Sequence, residues 1–252
     1  MGKKTMDKAL LIAGTGTGVG KTVVSALLLG FLLKKGIRVS YQKWVSTGGE
    51  MPEDLVYCLE KNNLPFCGER LDSQVLFRFR MPASPHLAAE REGRRVDPER
   101  IKTAFWRAVL ENDLLLVEGV GGVMVPLRRD LLLCDFLPQF QMPVLIVARS
   151  GLGTINHTLL TIESLRHRNI PLLGVVFSDE ECGMAADDPL VADNLRIIGE
   201  LGGLEVFGRL PRFADYTRLQ EAFVPVGERI GQRIFSGLAA ERSRGDRQGD
   251  PG

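Results

Sequence analysis

The most constraining feature of the sequence is a glycine-rich segment, Gly-Thr-Gly-Thr-Gly-Val-Gly-Lys-Thr, at residues 14–22. An apolar run at residues 8–13 precedes it, and an amphipathic stretch typical of a helix follows it. Glycines let the backbone turn its N–H groups inward without side-chain clashes, and a helix N-terminus adds partial positive charge. A buried strand, a glycine loop and a helix in this order predict a loop that binds the phosphates of a nucleotide.

Two side chains at the end of this loop have the chemistry that such a site requires. Lys21 would neutralise β- and γ-phosphate oxygens, and the hydroxyl of Thr22 would ligate Mg²⁺. The loop departs from the common pattern GxxxxGK[ST], because the leading glycine is Gly14, one residue early, and Thr15 occupies the expected position. The alternative is a glycine-rich turn with a chance Gly-Lys-Thr, against which the strand–loop–helix context argues.

Along the rest of the chain, short apolar runs alternate with longer amphipathic ones, a pattern typical of βαβ units. We predict an α/β fold, with a doubly wound, mostly parallel sheet and helices on both faces. The predicted strands lie at residues 8–13, 38–42, 113–117, 144–148, 172–177 and 205–210. The predicted helices lie at about residues 20–35, 53–61, 97–111, 154–168, 190–201 and 226–240.

The sequence also predicts the domain organisation. Residues 1–240 contain no evident linker, so we expect one domain. The segment at 62–96 fits the alternation of strands and helices least well, and we expect long loops there. Residues 241–252 are rich in Arg, Gly and Asp, and we expect them to form a disordered tail.

Bulk composition argues against several functional classes. The chain carries 32 Lys plus Arg against 31 Asp plus Glu, which gives no reason to expect nucleic acid or an anionic membrane as a partner. The four cysteines form no CxxC pair and only three histidines are present, so we expect free thiols and no multi-histidine metal site. Apolar runs are too short for a signal sequence or a membrane span, and we expect a cytoplasmic protein.

Three charged residues at predicted strand or helix ends are candidates to complete a nucleotide site. Glu118 follows the buried strand at 113–117, at the edge of the sheet where ligands bind. Asp54 lies in the first turn of the helix predicted at 53–61, after the second strand, where Glu53 competes for the same metal-binding role. Lys43 follows the second strand, and a cation there can hold an anionic intermediate or a transferring phosphoryl group. Each also has a plain alternative, as a solvated strand-end residue or as an acid that offsets a helix dipole.

Five segments, in consistent order over about residues 8–212, resemble the dethiobiotin synthetase family. The glycine loop looks like the family's GTxTxVGKT motif, and Lys43 to Gly48 resembles its KPVxSG segment. The other matches resemble its SPH, VEGAGG…PL and LGxINH segments, and lie at residues 84–89, 117–122 with 125–127, and 153–157. One such motif alone is weak evidence, whereas five in the same order are highly specific.

This resemblance implies a P-loop NTPase fold and a reaction. In that reaction 7,8-diaminononanoate forms a carbamate with CO₂ on one amine, and ATP phosphorylates the carbamate. The second amine then closes a cyclic urea, dethiobiotin, as phosphate leaves. The resemblance also implies Mg²⁺ as cofactor, ATP as co-substrate, and a homodimer with shared active sites. No nucleophilic side chain is needed, because both nucleophiles belong to the substrate.

The resemblance implies roles for individual residues. Lys21 and Lys43 would be the catalytic cations. The residues expected to bind Mg²⁺ are Thr22, Asp54 and Glu118. The residues expected to bind the substrate are Thr47, Thr154, Ile155 and Asn156, of which Thr154 has the alternative role of an ordinary helix N-cap. The residues expected around ATP are Thr15, Gly18, Val19, Gly20, Lys21, Thr22, Val23, Asp54, Glu118, Gly119, Val120, Gly121, Ser178, Asp179, Pro211, Arg212 and Phe213.

Three residues depart from the family's pattern. Gly16 stands where the family often has Asp, so a hydrogen bond of the loop is expected to be missing. Trp44 replaces the usual Pro after the lysine, and we expect a bulkier and less rigid turn. Ser178 replaces an Asn that reads the adenine edge, and a hydroxyl offers less than the paired donor and acceptor of an amide. We therefore expect weak discrimination between nucleotide bases.

Two other kinds of protein are alternatives. A partitioning or regulatory ATPase of the same P-loop branch would carry a second lysine early in the loop, where this chain has Gly16. An amidating ligase related to cobyrinate synthesis would need a glutaminase module with a nucleophilic cysteine, for which 252 residues leave no room. Both alternatives are therefore less favoured. We interpret His86 and His157, which lie inside matching motifs, as structural hydrogen-bonding residues.

Overall fold

The computed structural model describes residues 8–182, 185 and 187–245. Seven parallel strands form one sheet in the order β3-β2-β4-β1-β7-β8-β9. Its strands are β1 (Ala9–Gly14), β2 (Val39–Thr47), β3 (Val75–Phe79), β4 (Leu114–Gly122), β7 (Val144–Arg149), β8 (Leu172–Cys182) and β9 (Val206–Arg212). Two short strands, β5 (Pro126–Arg128) and β6 (Leu131–Leu132), form a separate antiparallel pair.

Helices cover both faces of this sheet, as the sequence predicts. They are α1 (Lys21–Lys34), α2 (Glu53–Glu60), α3 (Gly68–Gln74), α4 (Pro85–Arg91), α5 (Pro98–Glu111), α6 (Leu133–Phe136), α7 (Thr154–His167), α8 (Pro189–Gly202) and α9 (Tyr216–Gly245). One apolar cluster joins the sheet to α1, α2 and α9, and a second joins its other face to α4, α5, α6, α7 and α8. Residues of β1 alternate between the two clusters, because successive side chains of a strand point to opposite faces. The doubly wound α/β fold is therefore confirmed.

All six strands predicted from the sequence are present, but the expectation of long loops at 62–96 is wrong. That segment contains α3, the edge strand β3 and α4. The last helix begins at Tyr216, earlier than predicted, and accommodates Pro225 within it. It continues to Gly245, five residues into the expected tail, and residues 246–252 lie outside the described part of the chain.

Trp44 does not form a turn, which corrects the expectation drawn from the family's proline. It lies within β2 and is only 3% exposed. Its ring packs edge-on against Phe105 and Phe136, with centroids 6.4 and 5.6 Å away, and lies 4.7 Å from the ring of Phe140. The large side chain therefore fills the core beneath the strand that carries Lys43.

Asn62 joins α1 to α2, the two helices that carry Thr22 and Asp54. Its amide nitrogen donates to the backbone oxygen of Ala26 at 3.0 Å and to that of Cys58 at 2.8 Å. Gly30 makes this approach possible, because a Cβ at position 30 would lie 2.0 Å from the Asn62 Oδ1 atom.

We expect Gly30→Ala to lower the free energy of unfolding by about 1–3 kcal/mol, because Asn62 must leave both carbonyls to make room. Helix propensity alone would give the opposite sign, since Ala is favoured over Gly by about 1 kcal/mol. Gly231→Ala in α9 is the matched control, as the nearest atom to its Cβ would be 3.7 Å away. Chemical denaturation measures the free energy of unfolding of both variants, and equal values would contradict the role of Asn62.

Candidate nucleotide and magnesium site

The glycine loop joins β1 to α1 at the carboxyl edge of the sheet, and its glycines are sterically required. Gly20 precedes the helix with a φ of 97°, and a Cβ there would lie 2.9 Å from the Ser178 hydroxyl. A Cβ on Gly14 would lie 2.9 Å from the Lys21 ammonium and 2.8 Å from the Val19 side chain. The early position of the leading glycine therefore has a physical reason, because Lys21 folds back over that residue.

Lys21 is buried against its own loop. Its Nζ atom donates a hydrogen bond of 2.7 Å to the backbone oxygen of Gly16. Burial is the largest influence on its pKa and lowers it to about 8, although the nearby Glu118 carboxylate acts in the opposite direction. An ammonium with so little solvation is well suited to bind phosphate oxygens.

Three oxygen atoms of the kind that Mg²⁺ prefers converge next to the loop. The Thr22 hydroxyl lies 2.6 Å from Asp54 Oδ1 and 3.0 Å from Glu118 Oε1. Adjacent ligands of octahedral Mg²⁺, at bond lengths of 2.0–2.1 Å, are about 2.9 Å apart. Glu53 is exposed, so Asp54 is the acid of this helix turn that reaches the site. The donor set fits a hard divalent cation.

These three donors would leave half of the six coordination positions of octahedral Mg²⁺ to other oxygens. Among the described residues, no group of three or more His, Cys, Asp and Glu side chains is arranged to hold a metal ion. A set of one hydroxyl and two carboxylates therefore resembles the arrangement in which Mg²⁺ is shared with nucleotide phosphates and water.

Lys43 lies opposite Glu118 in the sheet, at a buried position. The two residues pair in the register of β2 with β4, and the Lys43 ammonium lies 2.8 Å from Glu118 Oε1. The same ammonium forms an ion pair with Asp54. Lys43 is 5% exposed and Glu118 is 2% exposed, so neither is a solvated strand-end residue. Both also lie within their strands, because β2 and β4 extend beyond the predicted ends.

The charged groups of this cluster shift one another's pKa values. Burial acts to lower the pKa of Lys43, but the attraction of Glu118 and Asp54 outweighs it and the pKa is raised. Burial likewise acts to raise the pKa of Asp54, and Lys43 more than offsets it, so that pKa is lowered. Lys43 is thus held as an ammonium and Asp54 as a carboxylate.

The glycine segment after Glu118 lies alongside the phosphate loop. Gly122 pairs with Gly14 across β4 and β1, and a Cβ at Gly122 would lie 3.5 Å from the Thr15 oxygen. Gly121 has a φ of 59°, and a Cβ there would lie 2.9 Å from the Val125 side chain. The predicted ATP-contacting residues Gly119, Val120 and Gly121 are therefore brought beside the loop.

The remaining residues predicted around ATP lie within β8 and at the end of β9. Ser178 is paired in register with Leu210, next to the predicted residues Pro211, Arg212 and Phe213. Asp179 is buried, where it accepts hydrogen bonds from Ser150 at 2.6 Å and from Arg209 at 2.7 Å. Its proposed contact with ATP stays a prediction.

The residues predicted to bind substrate occupy two places. Thr47 ends β2, four residues beyond Lys43. Thr154, Ile155 and Asn156 form the first turn of α7, as predicted. The N-cap of this helix is Gly153, so the alternative role of Thr154 as an N-cap is wrong.

Sequence reasoning missed two residues that contact Glu118. Ser25 donates to Glu118 Oε2 at 2.8 Å, and Tyr41 donates to the same oxygen at 3.0 Å. Burial, reinforced by the negative charge of Glu118, raises the pKa of Tyr41 well above its usual value. The available signal was spacing, because Tyr41 lies two residues before Lys43 in a strand and Ser25 lies three after Thr22 in a helix.

Comparisons with known proteins give a family match and several similar relatives. The family described as an AAA domain matches residues 8–220. An ATP-dependent dethiobiotin synthetase of Rhodopseudomonas palustris (strain BisB5) is 42% identical, over 84% of this chain and 90% of the relative. The enzyme of that name from Methanococcus vannielii is 38% identical, over 79% of this chain and 91% of the relative. The one from Brucella anthropi is 37% identical, over 93% of this chain and 100% of the relative.

The chain belongs to the dethiobiotin synthetase family. It is therefore an ATP-dependent ligase of the kind that forms C–N bonds.

Two of the solved structures with the same fold are of proteins with other names. The cell division ATPase MinD of Pyrococcus furiosus has a TM-score of 0.56 at 17% identity, over 90% of this chain and 99% of that one. An apo McdA structure from Cyanthece has a TM-score of 0.56 at 15% identity, over 92% and 99%. Identities this low show the fold alone. Within the described residues, no helix is both long enough and apolar enough to cross a lipid bilayer.

If Lys21 binds phosphate as predicted, its pKa near 8 is expected to make nucleotide binding dependent on pH. Phosphate oxygens stabilise the ammonium, so binding raises that pKa and takes up a proton above about pH 8. Affinity for ATP is expected to be full below pH 8 and to fall by up to about tenfold for each further pH unit.

Calorimetry at pH 9 in buffers of different ionisation enthalpy measures this proton uptake. Lys21→Arg is the matched control, because arginine keeps the charge and does not titrate in this range. Binding heats that are independent of the buffer in the unmodified enzyme would contradict the expectation.

Proposed function

We propose that this enzyme uses ATP and Mg²⁺ to join 7,8-diaminononanoate and CO₂ into the cyclic urea dethiobiotin, a step of biotin biosynthesis. The carbamate of the diamine is phosphorylated by ATP to a carbamic–phosphoric anhydride. The second amine then attacks the carbonyl, and ADP and phosphate are released. Because ATP is the co-substrate, we place the reaction in the cytoplasm.

The observation that carries this proposal is the buried Lys43 ammonium between Glu118 and Asp54, beside Thr22. The reaction must bring an anionic carbamate against an anionic γ-phosphate. Lys21 on the loop side and Lys43 on the β2 side supply the positive charge that this contact requires. In a site with little water, such charges interact far more strongly than at a surface.

The metal's role follows from its donors. Thr22, Asp54 and Glu118 would hold Mg²⁺, which supplies charge neutralisation for the phosphate oxygens. Lys43, already held as an ammonium, would orient the carbamate toward the γ-phosphate. No residue of the chain needs to act as a nucleophile, so positioning accounts for most of the catalysis.

We also propose that two copies of the chain share their active sites. The first turn of α7 is half open to solvent, since Asn156 is exposed and Ile155 is partly exposed. Its backbone N–H groups would hold the carboxylate of a substrate bound in the other subunit. Exposed apolar side chains nearby in sequence, Leu152 at 87% and Leu160 at 55%, support an interface here.

The direct test uses labelled bicarbonate, ATP, Mg²⁺ and 7,8-diaminononanoate. Label should enter an acid-stable product only when all four are present, with one ADP formed for each product. A well-folded enzyme that produces ADP but fixes no label would refute the proposal.

In the same assay, Lys43→Ala should lower turnover by about 100-fold or more, as for loss of a group that stabilises transition-state charge, with a much smaller effect on nucleotide affinity. Lys35→Ala is the control, since Lys35 is half exposed and pairs only with Glu228 among the salt bridges of the described residues. Lys43→Arg tests whether charge alone suffices.

Ser178 predicts relaxed base selectivity. We expect CTP or GTP to replace ATP in part, because serine lacks the amide pair that distinguishes adenine from other bases. Product formation with each nucleotide measures this, and Ser178→Asn should shift the preference toward ATP. A strict requirement for ATP in the unmodified enzyme would show that other contacts read the base.

A further inference from the structure

Glu118 holds its two carboxylate oxygens in different surroundings. Oε1 faces the site, 2.8 Å from the Lys43 ammonium and 3.0 Å from the Thr22 hydroxyl. Oε2 faces away and accepts hydrogen bonds from Ser25 at 2.8 Å and from Tyr41 at 3.0 Å. The Glu118 side chain is inaccessible to solvent, so these protein groups and not water hold its carboxylate.

We propose that Ser25 and Tyr41 are positioning residues that orient Glu118 so that Oε1 is presented to Mg²⁺. The inference rests on the proposed metal site at Thr22, Asp54 and Glu118. Two donors on Oε2 favour binding of the metal through Oε1 alone, and oppose a rotation that would offer both oxygens.

The secondary structure places both donors for this task. Tyr41 and Lys43 are two residues apart in β2, so both side chains point to the face where Glu118 lies. They approach the carboxylate from one strand but bind different oxygens. Ser25 lies one turn after Thr22 in α1, so a single helix supplies both a metal ligand and a residue that orients another ligand.

Water cannot replace either donor without rearrangement. Ser25 is 0% exposed and Tyr41 is 2% exposed, and both hydrogen bonds lie in the buried interior. Removal of either hydroxyl would leave a charged oxygen with one donor and freer rotation. Groups that orient metal ligands typically contribute about 10–100-fold to metal affinity.

The experiment measures metal-dependent nucleotide binding and needs no turnover. The dissociation constant of the nonhydrolysable analogue AMP-PNP is determined with EDTA and with saturating Mg²⁺, and the ratio gives the enhancement by Mg²⁺. Tyr41→Phe and Ser25→Ala should each reduce the enhancement by about tenfold. The dissociation constant measured in EDTA should stay within about twofold of that of the unmodified enzyme. Thermal unfolding confirms that each variant is folded, and either variant alone suffices if the other does not fold.

Tyr57→Phe is the matched control, because it removes a phenol hydroxyl from α2 and should leave the enhancement unchanged. Glu118→Gln identifies which proposal fails. If Glu118→Gln reduces the enhancement but Tyr41→Phe and Ser25→Ala do not, the positioning role is overturned and the metal site stands. If Glu118→Gln has no effect, both the metal site and the positioning role are overturned, whereas the label-fixation assay still tests the reaction.

Discussion

The rest of the site depends on one buried ion pair, between the Lys43 ammonium and the Glu118 carboxylate 2.8 Å away. Removing two charges from water costs several kcal/mol per ion, and the cost is offset only when the remaining hydrogen-bonding capacity is filled. Here Asp54 accepts part of the hydrogen-bonding capacity of the Lys43 ammonium. Ser25 and Tyr41 donate to the carboxylate oxygen of Glu118 that faces away from Lys43. The cluster is therefore stable as a whole, because removal of one member leaves others buried without partners.

The sheet register keeps this cluster in place. Lys43 lies directly opposite Glu118, so two neighbouring strands fix the distance between cation and anion. The face of β2 that points away from the cluster is held by other contacts, since Trp44 packs among phenylalanines and its Nε1 donates to Gln42 at 3.0 Å. A strand fixed on both faces cannot slip, because a shift of one residue would exchange the charged and the apolar faces.

Sequence reasoning identified the sheet, the loop and the charged residues that follow apolar runs, since burial and periodicity are local signals. It missed β3, whose five residues form an edge strand between polar segments. It misjudged Trp44, because the aromatic residues that bury it come from positions far along the chain. Ser25 and Tyr41 were missed for a related reason, as a polar residue in an apolar stretch shows that a partner exists without identifying it.

The phosphate loop connects the buried charges to the residue predicted to contact the base. At the phosphate end, Lys21, Lys43 and Glu118 are buried and their charges restrain one another. Ser178, the predicted base contact, lies against Gly20 of the phosphate loop, where a Cβ would be 2.9 Å from the Ser178 hydroxyl. Gly20 directly precedes Lys21 and has a φ of 97°, a conformation that favours glycine. A larger side chain at position 178 would therefore have to fit against the loop that holds Lys21, so the two ends of the predicted site are coupled through Gly20.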